Sequence, residues 1–165
     1  MLLAEDGGVH EDRWRHLDDE EPVPDSDPVT VSFARWKKAG NSLRARDGEL
    51  GLRLPNDAAP EEIVPDLDRF ALIVLQFPKF TDGRAYSQAR LLRSRYRYTG
   101  ELRASGNVLR DQLLFMRRCG FNSFVVGERA VTEEWAKAFG EFDVFYQAAD
   151  DDRPWVMRQR LGKTR

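Results

Sequence analysis

The stretch Phe70-Ala71-Leu72-Ile73-Val74-Leu75-Gln76-Phe77 is almost unbroken apolar sequence, and it limits the fold more than any other feature of the chain. A strand with one face in water alternates polar and apolar side chains, whereas a strand covered on both faces reads as a continuous apolar run. The run therefore predicts a central strand of a parallel sheet. It empties into Pro78-Lys79-Phe80-Thr81-Asp82-Gly83-Arg84-Ala85-Tyr86-Ser87, a polar loop ending at a residue suited to cap a helix. In open α/β sheets ligands bind at such junctions, where loop amides and helix N-termini converge at the carboxyl ends of strands.

The pattern repeats on either side. Val29–Phe33, Leu50–Leu54, Leu102–Ser105 and Phe121–Val126 read as further strands. Between them lie helical candidates at Ala34–Arg46 (interrupted by Gly40-Asn41), Asn56 to about Leu67, Tyr86–Tyr98 and Val108–Arg118, then Thr132 to Phe139. Asn107 is placed to cap Val108–Arg118, and Gly120 stands where a helix-terminal glycine belongs. Four or five βαβ units predict a single α/β domain with a mainly parallel sheet. Right-handed crossovers would put the strand-to-helix loops on one edge. A doubly wound sheet is the first expectation and a partial β/α barrel the alternative. The expected organisation is a loosely structured acidic arm over 1–28, the α/β domain over 29–147 and a polar tail over 148–165.

Charge is unevenly spread along this chain of 165 residues with net charge −2. Residues 1–28 carry ten acids against Arg13 and Arg15, whereas residues 84–118 carry nine arginines against Glu101 and Asp111. Guanidinium forks suit carboxylates and other oxyanions. One reading is that several of these arginines pair with the acidic arm. No apolar run approaches the roughly 18–20 residues of a membrane span. Met1-Leu2-Leu3-Ala4-Glu5-Asp6 shows no basic region or long apolar core, so no secretory signal and a cytoplasmic location are expected.

Cys119 is the one cysteine, which rules out an intramolecular disulfide and a four-thiolate iron–sulfur cluster held by this chain alone. Its place at the end of an amphipathic helix suits a packed thiol. His10 and His16 both lie in the acidic arm without metal-ligand spacing, so no metal site is expected and a Ser-His-Asp triad has no core histidine. Gly83 and Ser105-Gly106-Asn107 match neither a phosphate-binding loop nor a dinucleotide fingerprint. No cofactor can be named.

The loops Lys79–Ser87, Ser105–Asn107 and Gly127–Thr132 are expected to share the carboxyl edge. They would bring Lys79, Asp82, Arg84, Ser87, Arg103, Ser105 and Asn107 to one mouth. There the cationic and hydroxyl or amide groups would bind an anion, and Asp82 is the candidate acid/base. Asp82-Gly83 suits a tight turn using a positive-φ glycine. Ser87 and Asn107 also serve simply as caps. Trp36, Phe77, Phe80, Tyr86, Phe115, Phe121 and Phe124 track expected core positions. Arg90, Arg93 and Arg97 share a helix face opposite Ala89, Leu92 and Tyr96, a surface for an acidic partner.

Phe77-Pro78-Lys79-Phe80-Thr81-Asp82-Gly83-Arg84 and Tyr86-Ser87-Gln88-Ala89-Arg90-Leu91-Leu92-Arg93, with Gly100–Ala104, Val108–Gln112 and Arg117–Phe121, resemble a bacterial family known as domain of unknown function 934. Val31–Trp36 and Leu50–Leu54 extend the likeness over most of 9–147. Asn107 departs from the family pattern, which has an acidic residue there. The resemblance implies an oxidoreductase-related accessory role in assimilatory sulfite reduction, beside a sulfite or nitrite reductase subunit. One cysteine cannot hold the cluster of the reductase itself, so the chain is not the sirohaem subunit. Two readings follow: an accessory protein binding a small oxyanion or nucleotide at the mouth, or a non-catalytic module that associates with the reductase. Nucleic acid ranks last, since the whole chain is acidic and no recognition motif appears.

Overall fold

A computed structural model describes residues 1–127, 135, 137–140, 145, 146 and 156. Eight strands form one sheet: β1 (Leu2–Ala4), β2 (Val9–His10), β3 (Arg15–His16), β4 (Val29–Ser32), β5 (Leu50–Leu54), β6 (Phe70–Phe77), β7 (Glu101–Gly106) and β8 (Ser123–Val125). Their order is β2-β1-β8-β7-β6-β5-β4-β3. Strands β3 to β8 run parallel, and β1 pairs antiparallel with both β2 and β8. The apolar run is β6, inside the sheet as its composition requires. The crossovers are α1 (Phe33–Arg44), a 3₁₀ segment (Pro60–Arg69), α2 (Arg84–Arg90) continuing into a π turn (Leu91–Arg95), and α3 (Leu113–Arg118). No described helix is long and apolar enough to cross a membrane.

The strand order decides between the two α/β arrangements. From β4 to β8 each crossover steps to the next neighbour in one direction, so right-handed connections put every helix on one face. The sheet is a half-barrel, and the expectation of double winding gives way to the partial barrel. The two faces of β6 show it. Ile73, Leu75 and Phe77 join the main core with Ala85, Ala89 and Leu92 of the crossover helices. Leu72 and Val74 point to the concave side, where they pack with Trp14 in a second cluster.

Residues 11–14 close the concave side. β2 and β3 lie at opposite edges, seven strand spacings apart, about 34 Å along the sheet. The chain from His10 to Arg15 can span only about 18 Å. The sheet must therefore curl until its edges come within that reach, with residues 11–14 drawn across the opening as a strap. Trp14 on this strap is 4% exposed and Leu17, just beyond β3, is fully buried. The arm expected to be loosely structured thus supplies three strands and a plug. Its acids are largely solvated, but Leu2, Leu3, Trp14 and Leu17 anchor it, and burying each such side chain contributes about 1.5–3 kcal/mol.

Local signals explain the element ends. Ser32 caps α1, its Oγ accepting from the Arg35 amide at 3.0 Å, and the helix kinks at Ala39 beside the Gly40-Asn41 pair. Gly120 ends α3 with φ +102°. Three expectations are corrected. Ser87 is no cap: α2 starts at Arg84 after Gly83, so Ser87 lies inside the helix. Gly83 has φ −84° and needs no glycine-specific conformation. Asn107 is no cap either; its amide donates to the Phe77 carbonyl at 2.8 Å, and helical structure begins only at Arg110. The 128–132 part of the third loop, the start of the helix at Thr132 and, Val156 apart, the tail over 148–165 lie outside the described residues.

Candidate functional site

The carboxyl edge of β6 and β7 is built by a chain reversal. Gly106 has φ +91°, and a Cβ there would stand 2.5 Å from the Phe77 carbonyl oxygen, so only glycine lets the loop lie this close to β6. Gln76, Phe77, Pro78, Ser105, Gly106 and Asn107 line a cavity of about 600 Å³ at this edge. Ser105 is half-buried and Asn107 exposed; the Ser105 hydroxyl donates weakly to the Leu75 carbonyl at 3.5 Å.

Lys79 and Asp82 stand on the loop after β6, and Arg84 opens α2. The Asp82 carboxylate accepts from Arg84 Nε at 3.0 Å and Nη2 at 2.7 Å, and from Asn56 Nδ2 at 2.7 Å. Asn56 is buried, so Asp82 ties the β6 loop to the β5 loop. The Arg84 guanidinium holds the Asp82 carboxyl far below the usual carboxylate range, aided by the Arg84 amide and Asn56. A carboxylate so stabilised carries no proton near neutrality and is a poor acceptor of one. This argues against Asp82 as the acid/base, and Arg84 spends its charge on Asp82.

The other arginines part company. Arg103, expected at the mouth, is 1% exposed in the middle of β7 and faces the concave interior. Its Nη1 donates to both oxygens of Asp12 (3.0 and 2.9 Å), its Nη2 to Glu101 at 2.7 Å, and its Nε to Glu101 and Ser123 at 3.0 Å. Arg93, expected to face a partner, turns inward: Nε donates to the Gly120 carbonyl at 2.9 Å and Nη1 to those of Tyr98 and Gly100. It ties the π turn after α2 to the end of α3 and the start of β7. Arg90 and Arg97 remain exposed. The pairing of the arm with the arginine-rich half is real in Asp12–Arg103 and, more loosely, in Glu5–Arg117 at 3.8 Å.

A model of the family described as bacterial protein of unknown function (DUF934) matches residues 51–156. The chain belongs to this family. A search of curated proteins finds no match. The matched span holds β5 from Gly51 onward, β6 to β8, and the segments Phe77–Arg84, Tyr86–Arg93, Gly100–Ala104, Val108–Gln112 and Arg117–Phe121, several of which build the carboxyl edge. The strap lies outside it.

Two features of this DUF934 member were missed by sequence reasoning. One is the strap's polar network. His16 bridges Asp12 Oδ2 (2.9 Å) and Thr30 Oγ1 (2.7 Å), and Asp12 passes the link to Arg103. Burial pushes the Asp12 carboxyl up, but the Trp14 amide, His16 and Arg103 outweigh it and hold it below its ordinary value. The signal available was Trp14 and Leu17 among acids. The other is a set of exposed apolar side chains on the segments that follow β6 and β7. Phe80, Leu109 and Phe115 are 53%, 36% and 56% exposed, although Phe80 and Phe115 were expected in the core. Gln112 on α3's approach donates to the Phe80 carbonyl at 3.3 Å, and the Phe115 ring packs at a tilt against Tyr86, which meets Phe77 edge-on. Burial pushes the Tyr86 hydroxyl up to about 12. Among the described residues no group of three or more His, Cys, Asp or Glu side chains could hold a metal ion.

Proposed function

We propose that this chain is an accessory protein of assimilatory sulfite reduction that docks on a sulfite or nitrite reductase subunit through the carboxyl edge of its half-barrel. The reductase enters through the family resemblance of the motifs at that edge. The observation that carries the docking is the exposure of Phe80, Leu109 and Phe115 on the segments after β6 and β7, which the Gln112–Phe80 hydrogen bond joins. Large aromatic side chains are mostly buried in folded proteins, and exposed aromatic anchors dominate interface energetics. Lys79 and Arg110 sit beside Phe80 and Leu109 in the sequence and give the patch a basic border. The border suits a net acidic surface and favours its approach. Co-purification of the tagged chain with the reductase subunit tests this. Phe80→Ser with Phe115→Ser should abolish it while leaving the fold intact, because both rings are already exposed. Retention of the reductase by that double variant would refute the assignment.

A second reading is favoured by the cavity of about 600 Å³ at the same edge. Gln76, Ser105 and the neighbouring Asn107 offer hydroxyl and amide groups to a small oxyanion or a phosphate-bearing ligand, with Lys79 on the adjoining loop. Calorimetry with sulfite, sulfate and nucleotides tests it. Saturable binding weakened by Ser105→Ala would support the reading, and no heat with the wild-type chain would remove it.

A further inference from the structure

The half-barrel has a second cavity, of about 440 Å³, beside the strap at the amino ends of β7 and β8. Leu2, Leu3 and Trp14 form its apolar wall, and Glu101, Arg103, Asn122 and Ser123 its polar wall. Trp14 is 4% exposed, and its indole N–H is buried without an acceptor among the described residues. A buried donor left unpaired is costly, and nearly all such groups in folded proteins find a partner. The ring packs with Leu72 and Val74, and the Arg13 guanidinium lies over it at 5.1 Å. None of these side chains can accept a hydrogen bond. The cavity is open space bordering the indole, so it is where an acceptor can enter.

Two further donors line the same space. Ser123 Oγ accepts from Arg103 Nε at 3.0 Å and keeps its own hydroxyl proton to give. Asn122 spends its Oδ1 on the Leu102 amide at 2.8 Å, leaving its Nδ2 to donate. Charge decides which acceptor fits. Arg103 is held by Asp12, Glu101 and Ser123, while Arg13 rests on both oxygens of Glu49 and within the field of Glu101. The two guanidinium groups of the lining balance Glu11 and Glu101, so neither sign is left over for an ion. A carboxylate would enter without a free counter-charge, and an ammonium would compete with Arg13 and Arg103 for Glu101. A carbonyl oxygen has two lone pairs for these donors and brings no charge out of water. An aliphatic chain attached to it would cover Leu2 and Leu3.

We propose that this cavity binds a small neutral carbonyl compound with a short aliphatic chain, its oxygen accepting from the Trp14 indole N–H. Titration of the full chain with butyramide tests it, with butyrate and n-butylammonium as charged controls of matched length. Binding is followed by calorimetry and by the indole ¹H–¹⁵N resonances of the four tryptophans. The Trp14 resonance is assigned in the wild-type chain from its nuclear Overhauser contacts with the Leu72 and Val74 methyl groups. The expected result is saturable binding of butyramide in preference to both ions, with the Trp14 indole proton moving downfield as it gains its acceptor. Trp14→Phe, which keeps an apolar ring and removes the N–H, should weaken binding about tenfold, the loss of one hydrogen bond. If that variant folds poorly, the Trp14 shift in the wild-type chain decides the matter. Absence of saturable butyramide binding, equal binding of either ion, or saturation without a shift at Trp14 would overturn the proposal. Unchanged affinity in folded Trp14→Phe would do the same.

Discussion

Replacing Arg103 with methionine isolates the interaction that joins the strap to the barrel. The side chain is 1% exposed and makes five hydrogen-bond contacts, all between 2.7 and 3.0 Å, to Asp12, Glu101 and Ser123. Removing one partner from a buried ion pair costs about 3–5 kcal/mol, because the remaining charge is stranded. Here the stranded carboxylates keep 25% and 28% of their side-chain surface in water, which lowers that penalty. Without the guanidinium they also face one another as like charges. The expected loss is about 2–4 kcal/mol at neutral pH. Urea unfolding of the full chain, followed by circular dichroism, measures it. Adding Glu101→Gln to Arg103→Met should recover about 1 kcal/mol, since the repulsion disappears and the two changes share a network. A loss below about 0.5 kcal/mol for Arg103→Met, the size of an exposed pair, would refute the reasoning. So would strictly additive behaviour of the double variant.

Gly106→Ala should destabilise by about 1–3 kcal/mol from backbone strain, with the Cβ clash at the Phe77 carbonyl added to it, read by the same unfolding assay. Arg97 holds φ +56° after the π turn, a conformation costing about 1–2 kcal/mol for a residue with a Cβ. Arg97→Gly should therefore raise stability by about 0.5–1 kcal/mol after the entropy cost of glycine. Asp12 has a depressed pKa in the folded chain, so its contribution is present above the ordinary carboxylate value, about pH 4, and is lost as the pH falls through the lower folded value. Asp12→Asn should lower stability at neutral pH and flatten the acid limb of a stability–pH curve below about pH 4.

The backbone of the fold was legible wherever a residue type admits few alternatives. The apolar run of β6 could only be a covered strand, and glycine after α3 marked the helix end. The curl was not legible, because it depends on strand order, and strand order is set by which edges meet rather than by any local pattern. The arm was misread for a related reason. Ten acids dominate its composition, yet Trp14 and Leu17 decide where it goes, and two apolar residues do not make a periodicity. The arginines show the limit most clearly. Arg84, Arg93 and Arg103 look alike in sequence, but one neutralises a neighbouring carboxylate, one caps backbone carbonyls and one crosses the barrel interior to Asp12. Spacing cannot say which acceptor each finds. Phe80 and Phe115 were read as core because aromatic residues usually are, and their exposure is what draws attention to the carboxyl edge.

Docking of the carboxyl edge on a sulfite or nitrite reductase subunit is tested most directly by hydrogen–deuterium exchange of the chain with and without that subunit. Protection should appear in residues 79–87 and 107–118, around Phe80, Leu109 and Phe115, while the strap over 11–14 exchanges as before. Protection confined to the strap, or no change at the carboxyl edge under conditions where the two proteins co-elute, would contradict the account.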